Sequence, residues 1–194
     1  MPELPDVTVY VERLTALLAG QPLERVRLVS PFLLRTVDPS PAELEGRRIE
    51  GARRLGKRVV LALEGARFAV LHLMIAGRLR WGPPRAKIPA RLGLAAFDVP
   101  AGSVLLTEAG TQRRASLHLV RGEDALAALD PGGLEVLEAD LPAFAAALAR
   151  ENRTLKRMRG SRYPARPSGR SCPSRARTPG RTAGATPRSS RTAA

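Results

Sequence analysis

Cysteine is almost absent from this chain of 194 residues, and its single thiol, Cys172, excludes an internal disulfide and a cysteine-rich zinc site within one chain. No apolar run reaches the ~18 residues of a membrane span, and the amino terminus lacks the segments of a signal peptide. Acidic residues are also scarce, with 18 Asp and Glu against 32 Lys and Arg, for a formal net charge of +14. We therefore expect a cytoplasmic protein with no membrane partner and with a polyanionic one, nucleic acid first.

The positive charge is concentrated at the carboxyl end. Residues 157–194 contain ten Arg and no Asp or Glu, which leaves +4 of the +14 for residues 1–156. Of residues 159–194, 34 of 36 are Arg, Pro, Ala, Ser, Gly or Thr, and none is Leu, Ile, Val or Phe. Such a segment buries too little apolar surface to offset its ordering entropy, so we predict a disordered tail over 158–194.

Two explanations of this tail compete. It is either a basic arm that holds DNA through its phosphates in a salt-dependent way, or the out-of-frame translation of a GC-rich gene after a frameshift near Arg157. We favour the frameshift, because GC-rich codons encode those six residue types.

The rest of the chain predicts a mainly β (α+β) fold. Residues 5–19 are expected to form a helix with one apolar face, made of Val7, Tyr10, Val11, Leu14, Leu17 and Leu18. Short apolar or alternating runs then predict strands at Leu23–Val29, Leu33–Val37, Arg48–Leu55, Arg58–Leu63, Phe68–Met74, Arg78–Trp81, Leu92–Asp98, Ser103–Thr107 and Ala115–Val120. Further helices are expected after Ser40 and at Glu123–Leu129 and Leu141–Leu155, the last with Phe144, Leu148 and Leu155 inward.

Many short strands without long helices between them indicate an antiparallel sandwich or barrel. We favour an antiparallel β-sandwich flanked by the amino-terminal helix and by carboxyl-terminal helices. Residues 1–130 are assigned to this domain, residues 131–157 to a linker and the start of a helical region, and residues 158–194 to the disordered tail.

The first residues, Met1-Pro2-Glu3-Leu4-Pro5-Asp6, carry chemistry of their own. Removal of the initiator Met would leave Pro2 with a free secondary amine, and an α-amino group with a pKa of ~7.7–8.0 is partly unprotonated at neutral pH. Such an amine can attack the anomeric carbon of a sugar and give a cationic iminium, with Glu3 beside it to pass protons. The alternative is that Pro2 is only a common second residue ahead of a helix.

The string MPELPDV resembles the amino terminus of the formamidopyrimidine-DNA glycosylase family, base-excision repair enzymes whose signature begins PELPEV. The resemblance implies a Schiff base at Pro2, with Glu3 as the acid. Asp6 stands where the family usually has Glu. The run Arg54-Leu55-Gly56-Lys57-Arg58 resembles the family's hairpin with an essential Lys, which implies that Lys57 assists β-elimination; the alternative is a solvated Lys in a turn.

Two further segments extend the resemblance. His72-Leu73-Met74-Ile75-Ala76-Gly77 resembles the family's HLGMSG run, so that His72 is expected at a phosphate and Ile75 as an apolar wedge in the base stack. A satisfied histidine at a strand end and a core isoleucine are the alternatives.

The string Gln112-Arg113-Arg114-Ala115 resembles the family's PRRF loop. Arg113 is then expected to pair with the orphaned base and Arg114 to have a structural or phosphate role, while Ala115 replaces a Phe wedge. A generic surface pair of arginines is the alternative. Further on, Lys156 resembles a Lys that binds backbone phosphate.

The resemblance implies a DNA glycosylase with apurinic-site lyase activity that removes oxidised purines, formamidopyrimidine and 8-oxoguanine, from damaged double-stranded DNA. The enzyme would be a monomer of bacterial type, associated with the nucleoid. The family's second, helical domain and four-cysteine zinc finger have no counterpart in the sequence, so we expect no metal or other cofactor, and activity that the truncation weakens. A non-catalytic DNA-binding module and an amino-terminal-Pro tautomerase are the alternatives.

Overall fold

The computed structural model describes residues 2–110, 112–130, 132, 134–135 and 139–149. In chain order its regular elements are α1 (Leu4–Leu18), β1 (Arg25–Leu28), β2 (Ile49–Leu55), β3 (Arg58–Leu63), β4 (Arg67–His72), β5 (Gly77–Gly82), β6 (Gly93–Val99), β7 (Gly102–Glu108), β8 (Ser116–Arg121), α2 (Glu123–Ala127) and α3 (Leu141–Ala149). The strands form two antiparallel four-stranded sheets, sheet A in the order β1-β6-β7-β5 and sheet B in the order β2-β3-β4-β8. The predicted antiparallel β-sandwich with flanking helices is thereby confirmed.

The main core lies between the sheets, where apolar side chains from the facing sides of both sheets pack together. Leu61, Leu71 and Leu117 of sheet B join Phe97 and Leu106 of sheet A in one buried cluster. The outer face of sheet B is covered as well, since Val60, Phe68, Val70 and Val120 pack with Leu126 of α2. Sheet B is therefore buried on both faces, which explains why its central strands read as nearly continuous apolar runs.

Helix α1 is fastened to sheet B by packing and by one hydroxyl group. Val7, Leu14 and Leu18 are buried in the common core. The Thr15 hydroxyl accepts the N–H of Ala52 at 3.0 Å and donates to the carbonyl oxygen of the same residue at 3.2 Å. This pair of bonds fixes the helix along β2 and sets the position of the residues that precede it.

One predicted strand does not form. Leu33–Val37 was expected to be a strand, but Pro31–Leu33 is a 3₁₀ turn and Leu34 makes only an isolated bridge to Leu117. The prediction was wrong because Pro31 before the segment and Pro39 after it cannot donate to a ladder, so pairing does not propagate. The short helix expected after Ser40 does form, as a single 3₁₀ turn, Pro41–Glu43, with Ser40 at its amino-terminal cap.

The described structure ends within the helix predicted at Leu141–Leu155. Helix α3 is described as far as Ala149, and Phe144 and Leu148 on it are half-buried rather than inside a core. Leu155, Lys156 and the predicted tail over 158–194 lie outside the described residues. Among the residues that are described, no helix is long and apolar enough to cross a membrane.

Substituting Thr15 tests how α1 is held. In Thr15→Val, part-buried backbone groups of Ala52 lose their partner, so we expect the free energy of unfolding to fall by roughly 1–3 kcal/mol in urea titrations followed by circular dichroism. Thr8→Val is the matched control, because the Thr8 hydroxyl is exposed and bonds only within its own helix, to the Leu4 carbonyl oxygen. Equal effects of the two changes would contradict an anchoring role for Thr15.

Candidate functional site

The strand register brings the predicted site segments to one end of the sandwich. Across sheet B, Arg58 pairs with His72 and His72 with Ser116, while in sheet A Gly77 pairs with Glu108. The two direct crossovers between the sheets therefore leave from the same end: residues 73–76 join β4 to β5, and residues 109–115 join β7 to β8. We call this end, together with the β2–β3 turn at residues 56–57 and the start of α1, the turn end.

Pro2, Glu3 and Lys57 meet at the turn end although more than fifty residues of chain separate the first two from the third. Pro2 is buried, and Glu3 beside it is exposed. The Lys57 ammonium lies 2.8 Å from Oε2 of Glu3, with 33% and 57% of the two side chains exposed. An ion pair this open to water contributes at most about 1 kcal/mol to stability. Its consequence is positional, because it holds a cation against the acid that follows Pro2 in the chain.

Asp6 has a definite task at this position. Its Oδ2 accepts the backbone N–H of Glu3 at 2.9 Å, which caps the free amino end of α1. The N–H of Val7 donates to the Glu3 carbonyl oxygen at 3.0 Å as the first bond of the helix. Asp6, although shorter than the Glu that the family usually has here, therefore fixes the backbone of Glu3 in place.

His72 lies at the carboxyl end of β4, half-buried. Burial is the main reason that its pKa lies below the usual value of 6.5, and the positive charges of Arg58, His118 and Lys57 lower that pKa further. At neutral pH the imidazole is therefore uncharged. A contact of His72 with phosphate would have to use an N–H donor rather than a full positive charge.

Ile75 is exposed on the crossover between β4 and β5. Its side chain is 55% accessible, so the alternative of a core isoleucine is wrong. The turn is tight: the Gly77 N–H donates to the Leu73 carbonyl oxygen at 2.9 Å, and a Cβ on Gly77 would lie 2.3 Å from that oxygen. Glycine is thus required at Gly77, and the turn presents Ile75 to solvent at a fixed place.

Arg113 and Arg114 lie on the second crossover and differ in how they are held. Nη2 of Arg113, which is exposed, donates to the Arg91 carbonyl oxygen at 2.7 Å. The Arg114 guanidinium donates to the amide oxygen of Gln112, and its backbone N–H donates to Glu108. Both side chains are exposed, and Arg114 is in addition tied into the loop by its backbone bonds to Glu108.

Glu108 was not singled out from the sequence. Its carboxylate is only 2% exposed and accepts the N–H groups of Arg114, at 3.0 Å to each oxygen, and of Ala115, at 3.1 Å. An acid just after the apolar run Val104–Leu106 was the available signal, since a buried carboxylate needs such donors. Glu108 therefore shapes the loop that carries Arg113.

Lys156, the remaining predicted contact, lies outside the described residues. In the part of the chain that the structure describes, no three His, Cys, Asp or Glu side chains cluster as metal ligands would.

The sequence matches the formamidopyrimidine-DNA glycosylase N-terminal domain over residues 1–119. The chain therefore belongs to the formamidopyrimidine-DNA glycosylase family, which removes the tautomerase alternative. The formamidopyrimidine-DNA glycosylase of Moorella thermoacetica is 32% identical over 164 residues, which are 81% of this chain and 59% of that protein. The one from Acidiphilium cryptum is 39% identical over 80 residues, which are 41% of this chain and 29% of that protein.

Solved structures agree on the fold. Lactococcus lactis Fpg in complex with DNA containing an abasic site has a TM-score of 0.59 and 20% identity, covering 66% of this chain and 46% of that one. MutM in complex with DNA containing carbocyclic 8-oxo-G has the same TM-score and identity, and the match covers 66% of this chain and 48% of that one. The chain thus spans less than two thirds of the length of each of these relatives.

Removing the charge of Glu108 should loosen the second crossover. Glu108→Gln replaces one accepting oxygen by an NH₂ group that faces N–H donors, so we expect a loss of about 2–3 kcal/mol in the free energy of unfolding. Glu24→Gln, at an exposed position, is the control. Faster amide exchange at Arg114 and Ala115 should accompany the loss, and unchanged exchange there would argue against this role.

Burial of His72 predicts sensitivity to mild acid. Because the pKa of His72 in the folded state lies below 6.5, the unfolded chain binds more protons than the folded chain as the pH falls through this range. The stabilisation from the neutral imidazole is complete above pH 6.5 and is lost as the pH falls through the folded-state pKa. His118, whose pKa is lowered by burial first and then by Arg58 and Arg35, acts in the same direction.

We therefore expect the melting temperature of the wild type to fall between pH 7.5 and 5.5. The melting temperature of His72→Gln should fall less steeply over the same pH range. A variant with both His72 and His118 replaced should show the smallest fall. Parallel curves for all three proteins would show that these imidazoles are not the cause.

Proposed function

We propose that the chain is a base-excision repair enzyme, a DNA glycosylase with apurinic-site lyase activity that removes formamidopyrimidine and 8-oxoguanine from double-stranded DNA. It would act as a monomer on the bacterial nucleoid. The observation that carries the proposal is the contact of Glu3 with Lys57 beside the buried Pro2. The names of the related proteins, which are glycosylases of this family, support the same chemistry.

The mechanism begins with the amine of Pro2, once Met1 is removed. The amine attacks C1′ of the damaged nucleotide, and the bond from C1′ to the base breaks as the base leaves with a proton. Opening of the sugar ring then gives a covalent iminium between Pro2 and C1′. Glu3 is near enough to the reacting centre to donate and accept these protons.

Strand cleavage follows from the same intermediate. The iminium acidifies the C2′ protons, so that loss of one of them expels the 3′ phosphate by β-elimination. Lys57 supports this step in two ways: its ammonium keeps the Glu3 carboxylate in place at 2.8 Å, and its charge attracts the phosphate of the damaged nucleotide. Ile75 and Arg113 would enter the space that the extruded nucleotide leaves, and His72, Arg114 and Lys156 would hold the backbone.

Borohydride trapping on a duplex with one abasic site tests the proposal. We expect the full-length wild type to form a reduced protein–DNA adduct, and a form that retains Met1 to form none. Glu3→Gln should slow adduct formation by about 100-fold or more, because it removes the proton-transferring group. Glu24→Gln makes the same chemical change at an exposed residue outside the turn end and should react like the wild type.

Other outcomes separate the alternatives. Salt-dependent binding to the duplex without any adduct would favour a non-catalytic DNA-binding module. An adduct of normal yield in the form that retains Met1 would overturn the assignment of Pro2 as the nucleophile.

A further inference from the structure

Phe32 is an aromatic residue that folding does not account for. Its side chain is 80% exposed, although only 4% of the chain is aromatic. Burying a phenyl ring is favourable relative to leaving it in water. A ring left out in this way, in a chain with few aromatic residues, is a candidate contact for a partner.

The backbone under Phe32 is well fixed. Phe32 is the middle residue of the 3₁₀ turn Pro31–Leu33, and its neighbour Leu33 is buried in the core. On the amino-terminal side Val29 donates to the Leu94 carbonyl oxygen at 2.9 Å, and on the carboxyl-terminal side Arg35 donates to the Leu117 carbonyl oxygen at 2.9 Å. The turn therefore links the edges of the two sheets, and it presents the ring from a rigid support.

The 3₁₀ turn Pro31–Leu33 lies at the end of the sandwich that we call the turn end. β1 runs from Arg25, opposite Asp98, to Leu28, opposite Ala95, so its carboxyl end lies beside the start of β6. That start lies beside the end of β7, since Gly93 pairs with Thr107. Phe32 therefore emerges next to the crossover that carries Arg113.

Phe32 and Arg113 line the same shallow open groove, together with Ser30, Leu33, Leu94 and Ala115. No acidic side chain is among these lining residues. The groove combines a phenyl ring, a guanidinium group held by the Arg91 carbonyl oxygen, and the apolar lining residues Leu33, Leu94 and Ala115. This combination suits a flat heteroaromatic ring with polar atoms on its edge, which is the chemistry of a nucleobase.

We propose that Phe32 stacks on the unpaired base opposite the damaged nucleotide while Arg113 contacts the edge of that base. The inference rests on the proposed function, because it requires a lesion-containing duplex at the turn end. It assigns a role to a residue outside the crossovers and outside the amino-terminal segment. Phe32 is thus a binding residue that helps to keep the duplex open, and it takes no part in the covalent steps.

The test is a cycle that combines a substitution in the protein with removal of one base from the DNA. Binding of the full-length chain is measured by fluorescence anisotropy on an end-labelled duplex with a tetrahydrofuran abasic analogue opposite cytosine. Phe32→Ala should weaken binding by about 5- to 100-fold, the range of base–aromatic stacking, while Phe32→Trp should bind like the wild type. On a duplex with tetrahydrofuran on both strands, the effect of Phe32→Ala should fall below about twofold, because the stacking partner is gone.

Each result decides between the proposals. A loss for Phe32→Ala that is equal on both duplexes, or no loss on either, would overturn the stacking proposal and leave the proposed function intact. Failure of the wild type to bind the first duplex or to be trapped by borohydride would overturn both. Val37→Ala, which shortens another exposed apolar side chain (95% exposed) outside the groove, is the control for unspecific loss. Melting temperatures verify folding, and little change is expected for Phe32→Ala because the ring is exposed.

Discussion

The chemistry proposed for this domain depends on holding the first residues of a chain in place. A terminal amine is ordinarily the least ordered nucleophile in a protein. Here it is followed at once by a helix whose apolar face is part of the core, so that the rigidity of the sandwich extends to Pro2. The Thr15–Ala52 bonds and the Asp6 cap serve the same constraint from the two ends of the helix.

The remaining site residues are positioned by short crossovers between the sheets rather than by the sheets themselves. A crossover of four or seven residues has few conformations. Each is further constrained by a residue at the end of a flanking strand: Gly77 at the start of β5, where a Cβ would collide with the Leu73 carbonyl oxygen, and the buried Glu108 at the end of β7, which accepts N–H groups of the loop. The polar groups proposed to contact DNA are then exposed without being loose, which would reduce the ordering entropy lost on binding.

Much of this arrangement follows from local sequence patterns. Short apolar or alternating runs were enough to locate eight strands, helical spacing of apolar residues was enough to locate α1, and the motifs that contain Pro2, Lys57 and Arg113 were enough to propose the site. The strand expected at Leu33–Val37 failed because apolar content outweighed the two prolines in the prediction. Glu108 and Phe32 were missed for a different reason. The role of Glu108 depends on the fold of the loop whose N–H groups it accepts, and the role of Phe32 depends on groove neighbours that are distant in sequence.

Both crossovers lie at one end, and the hairpin connections at residues 64–66 and 100–101 lie at the opposite end. Ala101 and Glu64 there are exposed and lie a full strand length from the groove and from Pro2. None of the proposed site residues lies at these two hairpins, which we call the inert pole. A dye, an affinity handle or a surface tether attached to the inert pole would leave the amino terminus unmodified, which is the one attachment point that an enzyme with an amino-terminal nucleophile does not tolerate.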